Sequence, residues 1–454
     1  MNTNLLLGYG YFMKKIFAIF SIALIAFSIA NSATAALHID INSGKVEPVP
    51  IAINDLIAGD SGSAQLGSDI AGVIAADLEH SGLFRPIDKT AFIEKISSAS
   101  AIPKFADWRQ ISAQAIVVGS ISSSGNGNVK VGFRLWDAFG ETQLTGKEFN
   151  TLDTNWRRVA HLMADEIYKR ITGEDGYFDS RIVYVAESGP AKKRVKRLAI
   201  MDQDGENHKF LTDGSQLVLT PRFSPNSQEI LYMSYAGRKP RVYLRDLQSG
   251  QEESLGQFDG MSFAPRFAAD GNHAAMSIAQ NGDTQIYTMD LRSRKMQKIT
   301  SSAGSISTSP SYSPDGRKIV FNSDRGGSQQ LYVMDSNGAN ITRISFGEGN
   351  YATPVWSPRG DLIAFTKMQG GRFYIGVMRP DGSGERMLSN SYLDEGPTWS
   401  PNGRVVMFYR QGQSRGGSSG RARLYSVDLT GNNLREIKTP LDASDPAWSP
   451  RLPM

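Results

Sequence analysis

The sequence predicts a mixed architecture: a small N-terminal α/β domain followed by an all-β six-bladed propeller closed by its C-terminal strand. Three observations carry this. A Pro-x-aromatic-Ser-Pro-Asp-Gly motif, with local departures, recurs six times at a nearly constant interval. Short runs of β-branched and aromatic residues fill the spaces between copies. The first 176 residues lack the repeat and mix helical with strand-like periodicity.

The repeat reads Pro221-Arg222-Phe223-Ser224-Pro225-Asn226, then Pro265-Arg266-Phe267-Ala268-Ala269-Asp270-Gly271 and Pro310-Ser311-Tyr312-Ser313-Pro314-Asp315-Gly316. It continues at Pro354-Val355-Trp356-Ser357-Pro358-Arg359-Gly360 and Pro397-Thr398-Trp399-Ser400-Pro401-Asn402-Gly403, and ends at Pro446-Ala447-Trp448-Ser449-Pro450. Successive aromatic positions lie 44, 45, 44, 43 and 49 residues apart. Between copies come runs such as Ile230-Leu231-Tyr232-Met233, Leu331-Tyr332-Val333-Met334-Asp335 and Ile341-Thr342-Arg343-Ile344, each bounded by turn residues. Four short strands in roughly 40–45 residues are one propeller blade. Pro presets φ, Asp bonds the local backbone and Gly takes positive φ, so Ser-Pro-Asp-Gly is a turn. The aromatic residue is expected between neighbouring blades.

The phase of the chain predicts how the ring closes. The runs 181–185, 197–202 and 208–212 match the second, third and fourth strands of a repeat but have no first strand before them. The sixth motif, at Asp445 to Trp448, has no strands after it. The last strand is therefore expected to complete the blade begun at Arg181, leaving no unpaired edge in that blade.

The N-terminal domain is expected over residues 36–176 and the propeller over 177–454. A helical stretch around Ile70 to Leu78 ends at Ser81-Gly82, and a buried strand spans Ala115 to Gly119. A hairpin runs from Lys130 to Phe149 around Gly140. Trp156 to Ile171 forms an amphipathic helix with Val159, Leu162, Met163, Ile167 and Ile171 as its apolar stripe. Gly173-Glu174-Asp175-Gly176 reads as the linker.

Residues 1–35 read as an export signal. Lys14-Lys15 precede an apolar run from Ile16 to Ala30, and Ala33-Thr34-Ala35 supplies small residues for cleavage between Ala35 and Ala36. The apolar run is near 15 residues, short of the roughly 20 a membrane-spanning helix needs. Met13 directly precedes the lysines and is a candidate start.

Composition narrows the function. The chain has 454 residues, 49 Lys and Arg against 45 Asp and Glu, and no Cys. A near-neutral balance makes no electrostatic case for nucleic acid, and the lack of Cys excludes thiol catalysis, disulfides and Cys-ligated metal. The five His (38, 80, 161, 208 and 273) lack metal-ligand spacing, and His161 reads as a satisfied or surface residue of its helix. Asp202-Gln203-Asp204-Gly205 resembles part of a calcium loop, but Asp213 stands where Glu is needed. Gly59-Asp60-Ser61-Gly62 resembles a protease nucleophile segment, yet only His38 precedes it in the mature chain. Gly412-Gln413-Ser414-Arg415-Gly416 and Gly416-Gly417-Ser418-Ser419-Gly420 match the hydrolase elbow pattern without the strand-to-helix context that elbow requires. No catalytic set, cofactor loop or metal site emerges, and the residues show only an exported propeller with an extra domain, open to a binding-module reading. The rival readings are a propeller gating a peptidase, which needs a further domain of about 250 residues, and a solute-binding propeller.

An exported α/β domain followed by six such blades resembles the TolB family of the bacterial Tol–Pal system. The start Leu37-His38-Ile39-Asp40-Ile41-Asn42-Ser43-Gly44, the segment Tyr392-Leu393-Asp394-Glu395-Gly396-Pro397 and the ending Asp445 to Pro450 carry the likeness. The resemblance implies a periplasmic interaction module, without a cofactor or small-molecule substrate, that maintains the outer membrane and supports its invagination during division. It implies two partners, the peptidoglycan-associated lipoprotein Pal and the protein TolA. Leu37, His38, Ile39, Asp40 and Ile41 alternate apolar with polar, which fits an edge strand of the N-terminal domain or, as the resemblance implies, a mobile arm that pairs with TolA by strand addition. Pal is expected on one propeller rim. The varied segments entering each inner strand supply Leu219, Thr220, Ser262, Phe263, Ser309, Tyr351, Thr353, Asp394, Glu395 and Asp445, with Phe263 and Tyr351 as anchors. Met261 and Thr308 are added because they fall where that family's Pal-contacting loops lie.

Overall fold

In a computed structural model, residues 37, 47–236, 239–256, 258, 260–414 and 420–453 are described. The expected signal, its cleavage site at Ala35–Ala36, the arm residues His38 to Ile41, and residues 415–419 of the Gly/Ser-rich loop lie outside them. Among the described residues no helix is long and apolar enough to cross a membrane.

The N-terminal domain is a mixed sheet covered on both faces. It uses β1 (Val49–Ile53), β2 (Ile57–Ala58), β3 (Phe84–Pro86), β4 (Ala115–Gly125), β5 (Asn128–Asp137) and β6 (Thr142–Leu152). Their order is β3-β1-β4-β5-β6, with β2 alongside β4. β1 runs parallel to both β3 and β4, while β4-β5-β6 is an antiparallel meander. Helices α1 (Ala64–His80), α2 (Phe105–Gln110) and α3 (Trp156–Thr172) complete the domain. α1 and α3 bury Ile70, Ile74, Leu78, Met163, Ile167 and Ile171 against one face. Trp108 of α2 is fully buried on the other, with its indole N–H donating to Glu94 Oε2 at 2.7 Å. The Gly-Asp-Ser-Gly segment is a helix start: Asp60 accepts from Ser63 N at 3.0 Å and from Ser123 N at 3.0 Å. That is a capping role, and it accounts for the motif.

The propeller has six four-stranded antiparallel sheets. Its inner strands are Val218–Phe223, Met261–Phe267, Ser307–Tyr312, Asn350–Trp356, Asp394–Trp399 and Asp442–Trp448, which we number blades 1 to 6. Blade 6 is the expected clasp. Asp442–Trp448 pairs antiparallel with Arg181–Ser188, which continues into Val195–Asp202 and Lys209–Phe210. The motif works as read. In blade 3 the Gly316 N–H donates to Ser313 O at 2.9 Å, with Gly316 at φ +71°. Blade 2 lacks Ser-Pro but keeps the turn, because Asp270 accepts from the N–H groups of Asn272 and His273. The aromatic residues tie blades together: Trp356 N–H donates to Ser311 Oγ, Trp399 Nε1–H to Val355 O, and Trp448 N–H to Thr398 Oγ1.

The two domains share one core. Tyr177 and Phe178, just past the expected linker, are buried among residues of α1, α3 and blades 5 and 6. Trp448 packs edge-on to Tyr177 at 5.7 Å and donates to Ser180 Oγ at 2.8 Å. Glu174 pairs with Arg359 and Arg404, whose contacts outweigh its partial burial and hold its carboxyl below the ordinary range. A Cβ on Gly176 would overlap Asp165. The segment from 173 to 176 is thus fastened at several points.

A buried charge cluster reinforces the seam. His161 of α3 is 2% exposed, and its Nδ1 lies 2.6 Å from Asp77 Oδ2 of α1. Gln203 Nε2 donates to Asp77 Oδ1 at 2.8 Å, and Arg157 pairs with Asp204 in the same blade-6 turn. Burial alone would lower the imidazole. The charge and hydrogen bond of Asp77, aided by Asp204 and Asp202, raise it to about 9. Burial favours a neutral Asp77 and the contact with His161 favours a charged one; the short contact and the Gln203 hydrogen bond make the ion pair the better description. The cluster explains the Asp-Gln-Asp-Gly segment as a hairpin turn docked on the helices.

Two outcomes follow. A chain ending at Asp442 loses the inner strand of blade 6, and its melting transition is expected to collapse; a melting temperature equal to the full chain's refutes ring closure by that strand. His161→Ala leaves Asp77 uncompensated and is expected to cost about 3–5 kcal/mol in denaturant titrations. The raised folded pKa means the pair stabilises fully below about 6.5 and loses that contribution as pH rises through about 9. A melting temperature for H161A that tracks the parent's across pH 6 to 10 contradicts this role.

Candidate partner-binding site

Each inner strand carries the same interruption. Register shifts fall between Leu219 and Arg222, Phe263 and Arg266, Thr308 and Ser311, Ala352 and Val355, Glu395 and Thr398, and Ser444 and Ala447. At each shift the residue before the motif proline has a left-handed backbone: Thr220, Ala264, Ser309, Thr353, Gly396 and Asp445, with φ between +46° and +68°. Proline cannot donate to a ladder, so a bulge is where a strand can accommodate it. Five of the six left-handed residues carry a Cβ, so this strain is held by the ring around it.

The expected rim residues therefore belong to bulged strands and not to loops, which is a correction. The ladder of each inner strand begins before the bulge, at Val218, Met261, Ser307, Asn350, Asp394 and Asp442. Depth varies sharply along the ring. Met261 is exposed, while Leu219, Thr220, Phe263, Thr308, Ser309, Thr353, Glu395 and Asp445 are half-buried. Ser262, Tyr351 and Asp394 are buried.

The buried members are occupied inside the protein. Tyr351 donates to Glu385 Oε1 at 2.8 Å while Lys367 Nζ sits 4.8 Å from its ring centre. It supports the rim from beneath and cannot be an exposed anchor; packing against Phe365 draws it inward. Asp394 accepts from Arg410 Nε and Nη2 at 2.7 and 2.8 Å and from the hydroxyls of Ser389 and Ser391 at 2.7 and 2.6 Å. That carboxylate is saturated. Burial raises the Glu395 carboxyl, opposed by the Tyr409 hydroxyl hydrogen bond and reinforced by the Asp445 charge. Asp445 Oδ2 accepts from Thr220 N at 3.3 Å, bridging blades 6 and 1.

Sequence reasoning missed the most exposed apolar groups of this rim. Leu217, Tyr235, Ile306, Phe346 and Tyr392 all sit where a blade hands over to its next inner or middle strand, on the same rim as Met261. Phe346 is 72% exposed. The signal was present as large apolar residues inside segments otherwise built from turn formers. Together with half-buried Leu219 and Phe263 they distribute apolar surface over five blades around an acidic sector at Glu395 and Asp445.

The opposite rim faces the N-terminal domain. Asn402 Nδ2 donates to Asp175 O, Asn433 Nδ2 to His80 O, and Arg359 and Arg404 hold Glu174. All four residues belong to turns at the Ser-Pro-Asp-Gly end, so the apolar rim points away from that domain.

The comparisons with known proteins agree with this architecture. The model described as TolB beta propeller domain matches residues 168–452, and the one described as TolB amino-terminal domain matches 37–144. The chain belongs to the TolB family. It is 48% identical over 431 residues to the Tol-Pal system protein TolB of Gluconobacter oxydans, covering 95% of this chain and 92% of that one. It is 52% identical over 420 residues to that of Rickettsia bellii, covering 90% and 94%. The crystal structure of TolB from Acinetobacter baumannii superposes with a TM-score of 0.78 at 28% identity, covering 91% of this chain and 100% of that one. These relatives are named as proteins of the Tol-Pal system.

Proposed function

We propose that this TolB-family chain is a periplasmic, non-enzymatic interaction module. It docks Pal on the apolar rim of the propeller and TolA through the segment from Leu37 to Ile41, linking outer-membrane maintenance to division. The observation that carries the Pal assignment is the rim itself: exposed or half-buried apolar groups from five blades, bordered by carboxylates, on the face opposite the N-terminal domain. An apolar centre with a polar border is the anatomy of a protein interface. The rigid bulged strands hold that surface in one shape, so little ordering is needed on binding.

The TolA assignment rests on the alternation of Leu37 to Ile41 and on where Leu37 sits. Leu37 packs against the main core, and its N–H donates to Asp137 Oδ2 at 3.1 Å. Leu37 itself therefore stands at the end of β5, where Asp137 lies.

Crosslinking in cells followed by affinity capture is expected to recover both Pal and TolA. Phe263→Ala and Met261→Ala are each expected to weaken Pal binding by more than about 1 kcal/mol in calorimetric titration. Asp315→Ala, on the opposite rim, should leave it unchanged; weakening in that variant alone places the site on the wrong face. Tyr351→Ala should instead lower the melting temperature. Deleting residues 36–43 should abolish TolA capture and spare Pal binding, and undiminished TolA capture by that deletion removes the arm from the proposal.

A further inference from the structure

The propeller channel contains two arginines that form no ion pair among the described residues. The position between the motif proline and its aromatic residue borders one central cavity in every blade and reads Arg222, Arg266, Ser311, Val355, Thr398 and Ala447 around the ring. Blades 1 and 2 are neighbours, and the charge of Arg222 reaches Arg266. They line a cavity of about 460 Å³ at the end of the channel nearer the Ser-Pro-Asp-Gly turns. Among the described residues neither arginine has a carboxylate within ion-pair distance. Arg222 Nη1 donates to the carbonyl of Pro221 at 2.6 Å, and the nearest opposing charge it feels is Asp445. Burial, and then the charge of Arg222, hold the Arg266 guanidinium well below its ordinary range. Two half-buried like charges within reach of each other are mutually unfavourable, and an anion between them relieves both.

The rest of the ring suits an anion. Ser311 Oγ accepts the Trp356 N–H and Thr398 Oγ1 accepts the Trp448 N–H, so each hydroxyl proton remains to be donated. Val355 and Ala447 add no competing acceptor. Adjacent guanidinium forks match the paired oxygens of a carboxylate or phosphate, which accept charge-assisted hydrogen bonds in the same plane.

We propose that the channel of this propeller binds a small oxyanion, a carboxylate or phosphate group, between Arg222 and Arg266. The site is separate from the rim assigned to Pal and stands or falls independently of it.

The purified full chain in low-salt buffer is titrated calorimetrically with inorganic phosphate and, separately, with citrate. Saturable one-to-one binding of either supports the site, and the arm that binds tells phosphate from carboxylate. Arg266→Gln is expected to weaken that binding at least tenfold. Arg266→Lys, which keeps the charge, should retain part of it, and Arg317→Gln, an exposed arginine outside the channel, should retain all of it. Failure of both anions to bind the parent chain overturns the proposal, as does binding unaltered in R266Q. Should R266Q not fold, crystals of the parent chain soaked in selenate decide: anomalous density between the two guanidinium groups supports the site, and a channel without it refutes it.

Discussion

Everything in the propeller depends on one pairing between distant parts of the chain. Asp442–Trp448 must find Arg181–Ser188, and the paired residues are about 255 positions apart. Closing a loop of that length costs on the order of 5 kcal/mol in chain entropy beyond the fixed terms. The strand pairing must outweigh it together with what it brings along: Trp448 against Tyr177, its hydrogen bond to Ser180, and Arg181 N–H donating to Ser449 Oγ. Glu187 adds a further tie by accepting from Ser444, Arg194 and Lys196. The clasp is also where α1 and α3 dock, so ring closure and domain docking share one core. Neither is complete without the other.

That coupling gives the molecule two unlike ends. The end with the repeated turns is committed to internal structure, because its Asn402, Arg359, Arg404 and Asn433 hold the N-terminal domain. The end where inner strands begin has no such duty and carries the varied, exposed groups. The bulge before each proline separates the two regimes. On its turn side the proline and the aromatic residue recur in every blade; on its rim side the residues vary. Strain at a single left-handed residue would invite a functional reading. Strain repeated in all six blades is a property of the frame, and the side chains standing on it are free to diverge.

The architecture was legible because its determinants are local and repeated. Ser-Pro-Asp-Gly fixes a turn within four residues, and the 44-residue period reports the blade directly. Even the clasp follows from the phase of the first and last partial repeats. The left-handed bulge was not legible, since a residue before proline ordinarily takes an extended backbone and these take positive φ. Depth was less accessible. Tyr351 and Phe263 are aromatic residues at comparable places in their blades, and only Glu385, Lys367 and Phe365 make the first a buried support. Asp394 looks like a free acid in sequence and is saturated by Arg410, Ser389 and Ser391. The cluster of Asp77, His161 and Asp204 was illegible for the same reason: its members come from two helices and a blade turn, with His161 and Asp77 separated by 84 positions.

A repeat fold turns such departures into the informative positions. Where six blades agree, the shared residue explains the frame, as Pro and Gly do. Where they disagree at one structural position, the frame is not the cause, because the blades lacking that residue fold equally well. The channel position shows this most sharply. Ser311, Val355, Thr398 and Ala447 demonstrate that a blade needs no charge there, yet two adjacent blades place a guanidinium at that depth. Half-burying an arginine with no carboxylate in contact costs part of its hydration unless something replaces the water. The frame tolerates that cost without requiring it. Under the oxyanion proposal its origin lies in what the channel holds, and the same reasoning separates exposed Phe346 and Met261 on the rim from the turns that merely build the ring.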